Sequence, residues 1–183
     1  MSMSTIAQSA VTAAQSGDAT LTAATHRAES VPSATPAPLV DVMFPLIDDE
    51  EWPPYPAEMI EAVLFAHDLA EIRGIPWFVT DVSRGDIVQV RHDGIGYVGG
   101  AIVSRSGHST VHVMATSEDE LAPIVQRLRA LGAATASGLV PPMLTVDVPE
   151  TCSLERVLDV LTAAESLTCA FTVASRQHRA RVA

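Results

Sequence analysis

The spacing of hydrophobic positions changes twice along the chain, which divides it into three stretches. Residues 1–38 have no sustained apolar period. Twenty-five of these 38 are Ala, Ser, Thr or Pro, and only Asp18, Arg27 and Glu29 carry charge. Such a stretch buries too little apolar surface to offset the entropy of ordering it, so it reads as a disordered tail. Over residues 39–106 the apolar positions come in short runs separated by turn chemistry. Leu39–Leu46 predicts a strand, with Pro45 at its end or on an edge. Residues 57–73 fit two patterns: Met59, Ile60, Val63 and Leu64 have helical spacing, but His67 interrupts that face and the run also suits a buried strand. Gly74–Phe78 reads as a punctuated extended segment and Asp81–Asp86 as a loop, with Gly85 suited to positive φ. Ile87–Val90 is a strand, and Asp93-Gly94 signals a hairpin into Ile95–Ser104. Short strands joined by tight turns predict a small β-barrel-like sheet unit.

The third stretch, residues 107–175, alternates the two periods. Thr110–Met114 reads as a strand. Ser117 and Glu120 form a capping-box pattern, with Glu118 and Asp119 suiting the positive helix start. Pro123 pushes the expected start of regular helix a residue or two beyond Ser117. Leu121, Ile124, Val125, Leu128 and Leu131 then share one helical face, and Gly132 ends the helix. Ala133–Leu139 and Met143–Val148 are extended runs around Pro141-Pro142. Ser153 caps a second helix, where Leu154, Val157, Leu158, Leu161 and Ala164 repeat the first helical face at an offset of 33 residues. Thr168–Val173 closes as a strand. The order β-α-β-β-α-β predicts a ferredoxin-like unit, so the expected class is α+β. Residues 176–183 form a basic tail, read as solvated and frayed, with a possible pairing to the acidic 48–51 segment.

Charge narrows the function. Twenty-two acids against eleven arginines, with no lysine, leave a formal charge of −11. Phosphate backbones and anionic lipid repel such a chain, so neither a nucleic-acid nor a membrane partner is expected. RNA readers of the ferredoxin-like fold stack bases on aromatics of the central strands. Here the first and third strands have none, and Phe171 lies on the fourth. No apolar run approaches the ~20 residues of a spanning helix. Nor is there a basic start with an apolar stretch to mark a secretory signal, so the expected location is the cytoplasm, with Cys152 and Cys169 reduced. Seventeen residues apart, these cysteines suit packing rather than a paired-thiol metal loop. Asp48–Glu51 lacks the glycine and ligand spacing of a calcium loop and reads as solvated. No metal or cofactor is expected.

Chemistry-bearing residues are few. Ser106-Gly107-His108-Ser109-Thr110 sets hydroxyls beside an imidazole, but neighbours in an extended segment point to opposite faces. His108 and His112 would sit about 13 Å apart along one strand, too far to share a metal. Trp52 and Tyr55 lie in a proline-stiffened segment. With Trp77 they either plug the junction between the two units or present a contact surface.

Trp52-Pro53-Pro54 with Glu58, Ile75-Pro76-Trp77-Phe78, Gly85-Asp86 and Ser106–Thr110 occur in an order and spacing that resembles the bacterial family catalogued as domain of unknown function 4265, over about residues 40–175. The resemblance implies extended segments at 58–65 and 69–73. It carries over no catalytic residue, and Gly74 stands where the family usually has Asn. Candidate binding residues are Trp52, Tyr55, Glu58, Trp77, Asp86, Ser106 and His108. The leading reading is a non-enzymatic cytoplasmic binding or regulatory module with a protein partner, basic if the acidic face makes the contact. The alternatives are an acidic immunity or inhibitor protein for a basic enzyme, and a small hydrolase or transferase using the Ser-Gly-His segment.

Overall fold

A computed structural model of the chain describes residues 37–47, 52–138, 140 and 142–178. The disordered-tail reading (apart from residues 37 and 38), the acidic run Asp48–Glu51, and Arg179 and Arg181 all fall outside the described residues.

Five strands form a closed barrel: β1 (Leu39–Pro45), β2 (Ala57–Ala66), β3 (Leu69–Ile72), β4 (Ile87–His92) and β5 (Tyr97–Ser104). Residues 57–73, which fitted two patterns in the sequence, hold the two strands β2 and β3 joined by a turn at His67-Asp68. β1 to β5 are joined in sequence by antiparallel pairs, and a parallel pairing of β1 with β5 at Val42↔Tyr97 closes the ring. Closure removes the exposed edge that Pro45, the last residue of β1, would otherwise guard. Period-2 alternation sends Val42, Ile60, Ala62, Ile72, Val88 and Val90 inward as the barrel core. Phe44 needs extra room within that core. Its ring lies over Gly99, where an added Cβ would fall 2.3 Å from Phe44 Cε1, so glycine in mid-strand makes space for an aromatic. The Asp93-Gly94 turn is as expected, with Asp93 Oδ1 accepting from the Ile95 and Gly96 amides.

The second sheet has strand order β7-β8-β6-β9 with every neighbouring pair antiparallel, where β6 is Ser109–Ala115, β7 Ala134–Ser137, β8 Met143–Val148 and β9 Cys169–Ser175. Helices α1 (Glu118–Ala130) and α2 (Leu154–Thr162) fall between β6 and β7 and between β8 and β9. Val111, Val113, Val146 and Val148 form one core with the repeated leucine faces of both helices. Cys152 and Cys169 are buried in that core, and burial pushes both thiols up.

Three local expectations change. α1 starts at Glu118 despite Pro123, so the first turn forms without delay and the missing Pro123 N–H costs one intrahelical bond, offset by burial of Leu121, Ile124 and Leu128. Ser117 makes no side-chain cap. Instead Glu120 Oε2 accepts from the Thr116 amide at 3.1 Å and hydroxyl at 3.2 Å. Finally, Gln177 and His178 are held by hydrogen bonds rather than frayed, for reasons set out below.

Candidate functional site

The β3–β4 connection, residues 73–86, has no regular structure of its own, so its backbone donors and acceptors need partners from elsewhere. β2 supplies the first. Its inward register continues from Ala62 and Ile60 to Glu58, which places a carboxylate at one end of the barrel with 6% exposure. The connection turns three amides onto it: Trp77 N–H at 2.6 Å, Phe78 N–H at 2.9 Å and Val79 N–H at 2.9 Å. Val79 and Val82 then complete the barrel core.

The sheet supplies the rest. Its face away from the helices carries Thr110 and His112 on β6 opposite Asp147 and Thr145 on β8. Residues 76–86 lie across that polar face. The Pro76 carbonyl accepts from Thr145 Oγ1 at 2.8 Å and from His112 Nε2 at 3.3 Å, and the Asp81 amide donates to the Ala174 carbonyl. The Ser83 and Thr110 hydroxyls meet at 3.0 Å. These contacts join the barrel and the sheet through a network of buried polar groups.

Beside this network lies an apolar cleft of about 590 Å³. The barrel contributes Phe44 and Pro45, and the segment after it Leu46, Ile47 and Trp52. The anchored connection brings Trp77 to Thr80. The sheet provides His112, Met114, Met143 and Thr172. Trp52 forms one lip at 40% exposure, its ring edge-on to Phe78 with centroids 5.7 Å apart, and belongs to neither hydrophobic core. Among the described residues, none lining the cleft carries a formal charge.

His112 is the most constrained polar group in the lining. It is 8% exposed, and burial pushes its imidazole below the ordinary 6.5, against a smaller opposite pull from the Pro76 carbonyl. The unfolded chain therefore binds a proton more readily than the folded one. Stability from this group is complete above about pH 6.5 and falls as pH drops from there towards the lowered folded value. Urea midpoints at about pH 7.5 and about pH 5 are expected to differ more for the wild type than for His112→Leu. Equal differences would show that His112 does not contribute.

Of the residues singled out from the sequence, the cleft gathers Trp52 and Trp77. Tyr55 packs beside it on Phe78, with ring centroids 5.9 Å apart. Glu58 stands behind it as the anchor of the connection. Asp86, Ser106 and His108 lie at a separate junction. There Asp86, fully buried, accepts from the Ser83 amide at 3.0 Å, the Ser106 amide at 2.8 Å and Gln177 Nε2 at 2.8 Å. Ser106 Oγ donates to the Arg84 carbonyl and accepts from the His108 amide rather than from its ring. His108 Nδ1 instead pairs with Asp147 Oδ1 at 2.7 Å.

The sequence reading missed Asp147, Gln177 and His178. His178 Nε2 faces the Pro149 and Cys152 carbonyls, which only accept, so it carries the proton and Nδ1 receives the Ser109 hydroxyl at 2.8 Å. Ser109 Oγ also accepts from the Gln177 amide at 2.9 Å and the His178 amide at 3.3 Å and is fully buried, so this serine–histidine pair is a tether with no lone pair free to attack. Among the described residues no group of three or more His, Cys, Asp or Glu is placed to hold a metal ion, and no helix is long and apolar enough to cross a membrane.

A closed barrel, a helix-backed sheet and a cleft at their junction define a mixed α/β protein organised around that junction. The chain belongs to the family described as Domain of unknown function (DUF4265), whose model matches residues 58–170. Among solved structures it is similar to one described as a novel crystal structure of a hypothetical protein from Neisseria gonorrhoeae. The two share 15% identity with a TM-score of 0.61, over 76% of this chain and 97% of that chain, a likeness of fold alone. No curated protein matches the chain.

Proposed function

We propose that the protein is a non-enzymatic binding module whose ligand seats in the cleft between barrel and sheet. The observation that carries this reading is a concave, aromatic-rich site of about 590 Å³ whose described lining is uncharged, within the range of small-molecule sites, with its rear wall fixed by Glu58. Its aromatics offer large contact area at low conformational cost, and Met114 and Met143 adapt to irregular shapes. The state of the hydroxyls supports a non-catalytic reading: Ser106 and Ser109 spend their hydrogen bonds on backbone groups and on His178. In the second sheet, the β-α-β-β-α-β order with β6 and β8 in the middle supports a ferredoxin-like unit joined to the barrel.

The neutral fluorophore N-phenyl-1-naphthylamine tests the reading. Both tryptophans of the chain line the cleft, so energy transfer from them reports occupancy. Saturable one-to-one binding is expected. Trp52→Ala is expected to weaken it by about 2 kcal/mol, roughly thirtyfold, while leaving the melt nearly unchanged. Non-saturable binding, or equal affinity in the variant, would remove the cleft as the binding site.

A further inference from the structure

His112 brings to the cleft a polar atom whose role the fold does not explain. His112 Nε2 faces the Pro76 carbonyl, and because a carbonyl only accepts, that nitrogen must carry the ring proton. Nδ1 is then left with a lone pair, and among the described residues no donor reaches it. The ring is nine-tenths buried and lines the cleft. Thr145 shares the Pro76 carbonyl and, with it, fixes the ring's other side. Surrounding apolar walls make a lone acceptor costly when a ligand displaces water from it, unless the ligand brings a donor. The absence of charge from the described lining adds a second constraint: among these residues nothing replaces the hydration that an ionic ligand would lose.

From these two constraints we infer that the cleft selects an uncharged, largely aromatic small molecule bearing one hydroxyl or N–H donor, received by His112 Nδ1. The inference rests on the cleft being the binding site and adds the chemistry of its occupant. Trp52, Trp77 and Phe78 supply the flat apolar contact, and His112 reads the donor. A site built around a buried acceptor rejects an analogue lacking the donor more strongly than it rejects a change of apolar size.

Three matched probes distinguish the outcomes by displacement of N-phenyl-1-naphthylamine at neutral pH: 2-naphthol, its methyl ether 2-methoxynaphthalene, and the anion 2-naphthoate. For the wild type, 2-naphthol is expected to bind at least about tenfold tighter than the ether, with 2-naphthoate weakest. In His112→Leu the preference for naphthol over ether is expected to vanish while ether binding persists. Equal binding of naphthol and ether by the wild type would overturn the donor inference and leave the cleft reading standing. Tightest binding by 2-naphthoate would overturn the uncharged class. Failure of the fluorophore and all three probes to bind would remove the cleft reading and this inference together. Should His112→Leu not fold, the wild-type ranking decides alone.

Discussion

Glu58→Ala is expected to lower the free energy of unfolding by about 4 kcal/mol, the largest effect of any single substitution near the cleft. The carboxylate is buried and accepts from three consecutive amides, those of Trp77, Phe78 and Val79. Hydrogen bonds to a charged acceptor contribute about 1.5–3 kcal/mol each, and they do not add independently when the same acceptor holds all three. Truncation leaves these amides without a partner and also loosens Val79, which fills the barrel core. Glu58→Gln keeps the shape but offers one acceptor and one donor to three donors, so about half the loss is expected. Urea unfolding measures both. The affinity for N-phenyl-1-naphthylamine should fall in Glu58→Gln, because Trp77 and Phe78 lose their fixed placement. A loss under about 1 kcal/mol in Glu58→Ala would show that the connection holds its form without the carboxylate.

Asp86→Ala is expected to cost about 3 kcal/mol for a related reason at a different place. Its carboxylate joins the barrel side, through the Ser83 amide, to the Ser106 amide that leads into β6 and to Gln177 after β9. Gln177 also accepts from the Gly107 amide at 2.9 Å, so one side-chain amide bridges acceptor and donor. Gln177→Ala alone should cost about 1–2 kcal/mol. The double variant should lose less than the sum of the two single losses, by about 1 kcal/mol, since the second truncation removes a group already orphaned. Strict additivity in urea melts would mean that the two side chains act independently, contrary to the geometry.

How far the sequence foretold this architecture depends on the range of each interaction. The two helices were legible because Leu121–Leu131 and Leu154–Ala164 repeat one face, a pattern that local spacing alone produces. The Asp93-Gly94 hairpin was legible because the turn's φ requirement selects its residues. Strand β2 was not: Met59, Ile60, Val63 and Leu64 satisfy both periods, and the pairing of Val42 with Ile60 decides between them. Barrel closure depends on Val42 meeting Tyr97, which no local pattern encodes. The candidate site shows the same division. Trp52 and Trp77 stand out by residue type, whereas the meeting of His112 with Pro76 spans 36 residues and has no sequence signature. Asp147 did leave a signal. It alternates with Thr145 on one face of a strand whose other face is Leu144, Val146 and Val148, and that marks a polar sheet face requiring a cover.

The tether at Gln177 has a temporal consequence. Its bond to Asp86 joins groups 91 positions apart, and the bond from Ser109 to His178 spans 69. During synthesis the whole barrel, ending at Ser104, leaves the ribosome long before these partners do. Barrel closure can therefore come early, while the part of the seam built on Asp86 and Ser109 waits for residues 177 and 178 to emerge. Until then Asp86 is a carboxylate short of one of its donors, and the nascent chain holds a formed barrel beside an unfastened partner. Residues 177 and 178 act as a latch, so a chain stopped after β9 would keep both sheets and the bonds from Pro76, Asp81 and Ser83 to the sheet, and lose the bonds of Asp86 and Ser109 to this segment.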